Sequence, residues 1–228
     1  MSGAIAIFVK TPGLSPVKTR LAPFLGKKLA EVFHLASTAA VREVVQKTCK
    51  QEDVQGYYAV AEQTGLKHSY WQDLPCVWQG EGGLGERMAY VYQTLLNKHD
   101  FVILIGADIP QMIAGELLSA CVWLSREEHA RMAFGPSVDG GFWLFGGNCE
   151  IPQKLWTEVT YSREDTGTQF LNKIRKFGEL KQMDLLQDVD DTEDMLQLKQ
   201  TLQEMPEPLP AQRALLRLLY ALPEPSSP

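Results

Sequence analysis

The sequence predicts an α/β protein, a three-layer α/β/α arrangement around a mostly parallel, mixed sheet. Three observations carry this. Short β-rich runs alternate with longer stretches of helical period, the pattern of strand–helix units stacked into a covered sheet. The run Phe101 to Ile105 is apolar at every position, as a central strand buried on both faces requires. The glycine pair Gly140-Gly141 joins two strand-like runs through a connection too short for a helical crossover, so that pair must be locally antiparallel or bent.

Taken in order, Ala4 to Val9 is the first strand. A helix follows from Lys27 to Cys49, with Leu29, Val32, Phe33, Ala36, Ala40, Val44 and Val45 at the three-to-four spacing of one face. Val54 to Ala61 and Cys76 to Trp78 read as strands. Leu84 to Asn97 reads as a helix striped by Met88, Val91, Tyr92 and Leu95. After the central strand, Ala114 to Ser125 is helical, and Met132 to Gly135 and Phe142 to Gly146 are strands. Asp165 to Lys176 is a helix, Leu180 to Met183 a short strand, and Thr192 to Leu202 a helix. The last 24 residues hold six of the 13 prolines around Ala211, Leu215, Leu218 and Leu219. They read as an extension, residues 205–228, in which one docked helix precedes a frayed Pro/Ser end, appended to a single domain of residues 1–204.

The 228 residues include 22 Lys/Arg and 28 Asp/Glu, so the net charge is 22 − 28 = −6. That balance argues against a nucleic-acid polymer as partner, because the longest basic cluster is Lys27-Lys28. Cys49, Cys76, Cys121 and Cys149 lie far apart in or beside apolar runs and read as buried reduced thiols. His34, His68, His99 and His129 never reach zinc-ligand spacing, so any metal is a hard, carboxylate-bound ion, Mg²⁺ or Mn²⁺. The apolar stretch Ile5 to Val9 is too short for a signal segment or a membrane span, and a cytoplasmic location is expected.

Ligands of open α/β sheets bind outside the carboxyl ends of the strands, which directs attention to three loops. The loop after Val9 holds Lys10, Lys18 and Arg20 among three prolines and a glycine, a stiff cationic segment suited to a diphosphate. In Gly106-Ala107-Asp108-Ile109-Pro110, Asp108 stands where a carboxylate can hold Mg²⁺ against phosphate oxygens, too far from the next helix to be only its cap. In the acidic run Asp188 to Asp194, Asp191 or Thr192 suits a helix cap and Asp190 is free to face a metal. Asp139 precedes Gly140-Gly141 and is equally readable as a general base and as an Asp-Gly turn. Gly82, Gly85 and Arg87 belong to a glycine-rich lead-in to a helix, suited to nucleoside contact through the backbone.

Five motifs in this order resemble a bacterial family of GT-A-like proteins provisionally described as nucleotide-diphospho-sugar transferases. They are Phe8-Val9-Lys10 through Lys18-Thr19-Arg20-Leu21-Ala22-Pro23, Leu84 to Met88, Gly106 to Pro110, Gly135-Pro136 through Asp139 to Leu144, and Asp188-Val189-Asp190. The resemblance spans about residues 4–198. It implies a GT-A, Rossmann-like fold that binds a nucleoside diphosphate group, with Asp108 at the metal-binding aspartate. A more distant similarity, in the Lys-Thr-Arg-Leu-Ala-Pro stretch, is to 2-phospho-L-lactate guanylyltransferase and the molybdenum-cofactor nucleotidyltransferases. The chain has Gly83 where the family commonly has aspartate, and Tyr161-Ser162-Arg163 where it commonly has a tryptophan-serine pair.

The expected activity is metal-dependent glycosyl transfer from a nucleotide-diphospho-sugar to a small acceptor, with Asp139 as base and Lys18 and Arg20 on the diphosphate. One alternative is a nucleotidyltransferase that joins a nucleoside triphosphate to a phosphorylated small molecule and releases pyrophosphate. Another, supported by Gly83, is a nucleotide-binding protein without turnover.

Overall fold

The computed structural model describes residues 2–126 and 129–223, so the Pro/Ser end expected to fray lies outside the described residues. In β1 (Gly3–Val9) successive side chains point to opposite faces. Ile5, Ile7 and Val9 enter one buried cluster, and Ala4 and Ala6 enter another. The same division recurs in β4 (Phe101–Gly106), where Ile103 and Ile105 face the first cluster and Val102 and Leu104 the second. This strand is buried along five of its six residues, as its apolar run predicts.

Five further strands complete the sheet: β2 (Val54–Val60), β3 (Cys76–Trp78), β5 (Arg131–Pro136), β6 (Phe142–Gly147) and β7 (Glu179–Gln182). Among the described residues their order is β3-β2-β1-β4-β6-β5-β7. Every pairing is parallel except those that β6 makes with β4 and β5. The short Gly140-Gly141 connection is thus antiparallel, for the reason read from its length. Less accessible to sequence is the insertion of β6 between β4 and β5, with a register shift at Gly135/Pro136.

Helices cover both faces. On one lie α2 (Lys27–Cys49) and α4 (Ala114–Leu124), through Val41, Val44, Leu117 and Cys121. On the other lie α3 (Leu84–Leu96), α5 (Gln153–Thr157) and α6 (Thr166–Ile174), gathered around Trp156, whose ring centroid is 5.5 Å from Tyr92, 5.1 Å from Phe145 and 4.9 Å from Phe170. A third cluster joins α1 (Ala22–Leu25) and the outer side of α2 to α7 (Thr192–Glu204) and α8 (Pro210–Ala221), through Phe33, Ala40, Leu198, Leu202, Leu215 and Leu219.

That third cluster corrects the helix face read for α2. Leu29 and Val32 are exposed, while Ala30, His34, Ser37, Thr38 and Val41 are buried. The helix is covered twice, by the sheet and by the C-terminal helices, so its buried stripe is wider than one apolar face and accepts polar residues with partners. Ser37 donates to Ala107 O at 2.6 Å and Thr38 to His34 O at 2.9 Å. The short elements α1, α5 and two 3₁₀ turns at Gln63–Lys67 and Ser69–Trp71 escape sequence reading because each is too brief to show a period. The four cysteines are unpaired, but only Cys121 is buried as expected, the other three being half-buried; burial pushes each thiol up, that of Cys121 to about 12. Among the described residues no helix is long and apolar enough to cross a membrane.

Candidate functional site

β1 lies between β2 and β4, whose connections leave in opposite directions, so the carboxyl ends of β1 and β4 flank the sheet's switch point. A cleft of about 600 Å³ opens there, within the size range of small-ligand sites. It is lined by both strand ends, the loop of Lys18 and Arg20, Asp108, Asp190, and on the far side Phe142, Trp143 and Ser162.

The loop after β1 is built rigidly. Thr11 N–H donates to Glu62 Oε2 at 2.9 Å, its hydroxyl accepts from Trp71 Nε1 at 3.0 Å, and its carbonyl accepts from Leu14 and Ser15. The chain then bends at Lys18, whose φ is 46°, and Lys18 O starts α1 by accepting from Leu21 and Ala22. Ser162 is the other non-glycine residue with positive φ among those described, at 61°. Both line the cleft, and strain of this kind persists where the surroundings enforce it.

This bend brings the loop's charges to carboxylates more than 80 residues away. Lys18 Nζ lies 2.6 Å from Asp108 Oδ1, donates to Val189 O, and is only 3% exposed, over the Phe33 ring. Arg20, 71% exposed, reaches Asp190 Oδ2 at 3.1 Å. Burial pushes the Asp108 carboxyl up, but the Lys18 ammonium beside it outweighs this and holds it below the usual value. Burial raises Asp190, and Asp108 adds to the rise while Lys18 and Arg20 oppose it. Asp188, half-buried, rises to about 6 through burial first and then through the charges of Asp139 and Asp190. Burial likewise lowers His34, whose Nε2 lies 3.0 Å from Lys10 O.

Asp191 caps α7, accepting from Glu193 N at 2.9 Å and Asp194 N at 3.1 Å, which leaves the preceding Asp190 to face the cleft. Asp108 and Asp190 offer oxygen donors alone. Among the described residues no group of three or more His, Cys, Asp or Glu is arranged to hold a metal ion. Carboxylate oxygens are the donors that a hard ion of the Mg²⁺ type takes, one or two at a time, with phosphate oxygens and water completing its shell.

Lys10, Lys18, Arg20, Asp108 and Asp190 all line the cleft; Gly82, Gly85, Arg87 and Asp139 are not among its lining residues. Arg87 donates to Gly82 O at 2.9 Å, Ala61 O at 3.2 Å and Gln79 Oε1 at 3.4 Å. A Cβ on Gly85 would stand 2.5 Å from Trp156 O, so this glycine lets α3 approach α5. Asp139 accepts from Gly141 N at 2.8 Å, forming the Asp-Gly turn of the β5–β6 hairpin. At Gly140, φ 86°, a Cβ would meet Glu164 O at 1.9 Å, so the turn packs directly on the segment preceding α6. Sequence reasoning assigned no role to His34 or Gln79, which line the cleft, or to Asp188, which stands beside it. Asp188 stood in the acidic run and was findable there, whereas His34 was hidden by the misplaced face of α2.

Strand order, covering helices and the cleft at the switch point define a GT-A-like nucleotide-diphospho-sugar transferase fold. The chain belongs to the family described as "Uncharacterized protein conserved in bacteria (DUF2064)", whose model matches residues 41–163. Among solved structures it is similar to a protein from Desulfovibrio desulfuricans G20, provisionally named a nucleotide-diphospho-sugar transferase. The TM-score is 0.81 at 24% identity, over 97% of this chain and 98% of that one. It is also similar to CMP:2-keto-3-deoxy-manno-octonic acid synthetase complexed with CTP, at TM-score 0.55 and 9% identity, over 90% of this chain and 100% of that one. A cytidylyltransferase from Leptospira borgpetersenii serovar Hardjo-bovis gives TM-score 0.55 at 14% identity, over 97% and 94%. No curated protein matches the sequence.

Proposed function

We propose that the protein is a glycosyltransferase that moves a sugar from a nucleotide-diphospho-sugar to an acceptor hydroxyl. The observation that supports this most is the convergence of Lys18 and Arg20 with Asp108 and Asp190 at the switch-point cleft. In this reading Lys18 and Arg20 bind the diphosphate, and Lys10 extends the same positive wall. Asp108 and Asp190 would hold Mg²⁺ or Mn²⁺, which supplies charge neutralisation of the departing nucleoside diphosphate. The nucleoside lies toward Gln79, Leu84 and Met88, with Gly82, Gly85 and Arg87 shaping that wall from behind. Asp139, from the hairpin turn, removes the acceptor proton.

A second reading, nucleotidyl transfer from a triphosphate to a phosphorylated acceptor, is favoured by one feature. Asp139 does not line the cleft, and an already ionised phosphate acceptor needs no base.

A panel of nucleotide sugars and nucleoside triphosphates, with Mg²⁺ or Mn²⁺, separates the two. Glycosyl transfer predicts free nucleoside diphosphate from one nucleotide sugar, and Asp139→Asn lowering acceptor-dependent turnover by about 10²–10⁴-fold with donor affinity kept. Pyrophosphate release from a triphosphate, dependent on a phosphorylated acceptor and indifferent to Asp139→Asn, would establish the second reading instead. Clear donor binding with turnover of neither class, and a lowered melting temperature as the sole effect of Asp139→Asn, would leave a binding protein.

A further inference from the structure

The segment between β4 and α4 carries Asp108, and its carbonyls are tied down from outside. Ala107 O accepts from Ser37 Oγ of α2, and Asp108 O accepts from Val189 N–H at 3.0 Å. Pro110 O and Met112 O both accept from one side chain, Gln212 Nε2 of α8, at 2.9 and 3.0 Å. Gln212 is 2% exposed, and its Oε1 accepts from Leu209 N at 2.9 Å. Both amide hydrogens and the carbonyl oxygen are thereby engaged, which fixes the amide's orientation.

Helix capping explains only part of this. A glutamine or glutamate at the third helical position can accept from the N-cap amide, and either would serve α8. A carboxylate has no hydrogens to give the two loop carbonyls. The amide is therefore needed for the loop, and removing it leaves two buried acceptors unpaired. The rest of α8 is firmly seated: Ala211 N donates to Glu43 Oε2 at 2.6 Å, and Leu215 and Leu219 pack in the third buried cluster with Leu198 and Leu202 of α7.

We infer that Gln212 is a positioning residue for the phosphate side of the cleft. Through Pro110 and Met112 it holds the Asp108 loop where the carboxylate meets Lys18 and the Asp188–Asp190 segment. The binding arm of the test rests on the function proposed above; the exchange arm does not.

The test compares the full chain with Gln212→Glu, which keeps the cap acceptor but offers one donor at most and none when ionised. Gln212→Met keeps side-chain bulk without polar atoms and serves the same comparison if the glutamate variant fails to fold. Leu219→Ala weakens the same helix while keeping the carboxamide. Hydrogen exchange is followed in peptides covering residues 106–113, and calorimetry measures uridine, guanosine and cytidine diphosphates with Mn²⁺, beside the nucleosides alone. Loss of the amide should raise loop exchange and weaken Mn²⁺-dependent diphosphate binding about 10-fold, the scale on which outer supports of a metal site act, with nucleoside binding unchanged. Leu219→Ala should lower the melting temperature with neither effect. A lower melting temperature alone in the Gln212 variants, or the same loop exchange and binding loss in Leu219→Ala, overturns the assignment. If the unaltered protein binds no diphosphate, the proposed function falls, and loop exchange decides Gln212 by itself.

Discussion

On the β1–β4 side of the cleft, basic side chains reach across to carboxylates on other loops, as Lys18 does to Asp108 and Arg20 to Asp190. On the β3–α3 side, Arg87 stands in the first turn of α3 behind a glycine-rich lead-in, and donates to the carbonyls of Gly82 and Ala61 and to Gln79. Charges that meet charges across a gap can exchange partners when a phosphate arrives. A guanidinium that satisfies backbone carbonyls holds the framework, and its removal leaves those carbonyls without a donor. Basic residues of similar charge therefore differ in what they can do, and the difference is set by what each side chain faces.

The contrast is most exposed to test at Asp108. Asp108→Asn should weaken Mn²⁺-dependent nucleoside diphosphate binding by about 100-fold, because it unpairs the buried Lys18 as well as removing a proposed metal ligand. The melting temperature should fall as well, because the variant leaves the Lys18 ammonium buried without its carboxylate. Calorimetry with and without Mn²⁺ measures it, and unchanged metal dependence would remove Asp108 from the site.

Asp188 gives a prediction in pH. Its folded pKa, about 6, lies above its unfolded value, so between about pH 4 and pH 6 the folded state binds the proton that the unfolded state has lost. Its contribution to stability therefore declines as pH rises through that window, by up to roughly 3 kcal/mol. Urea unfolding of Asp188→Asn should lack this decline relative to the unaltered chain. Parallel pH profiles for the two proteins would show that neither burial nor the neighbouring carboxylates raise Asp188 in the folded state.

The smallest effect is expected at Arg87. Arg87→Ala should cost about 1–3 kcal/mol of stability through its lost bonds to Gly82, Ala61 and Gln79. Diphosphate and nucleoside affinities should fall by similar small factors. A selective loss of diphosphate binding would place Arg87 with Lys18 and erase the contrast between the two walls.

Periodicity made the sheet, the central strand and the principal helices legible in sequence, because strand and helix impose repeats of 2.0 and 3.6 that apolar burial then marks. The antiparallel Gly140-Gly141 connection was legible for a different reason, since its length alone forbids a crossover. The charged groups that line the cleft were legible too, as Lys10, Lys18, Arg20 and Asp108 stand in loops that follow strands and Asp190 before a helix cap, where side chains reach a cleft. Tertiary structure alone decided which of them meet: Lys18 and Asp108 are 90 residues apart, and their pairing depends on the left-handed bend at Lys18 and on β1 lying beside β4. It also decided that Arg87 faces carbonyls, that Leu29 and Val32 stay exposed, and that Gln212 reaches the Asp108 loop from 104 positions away. Local sequence fixes conformation through short-range sterics and repeats, whereas the partner of a polar side chain is fixed by packing between elements that the chain brings together only on folding.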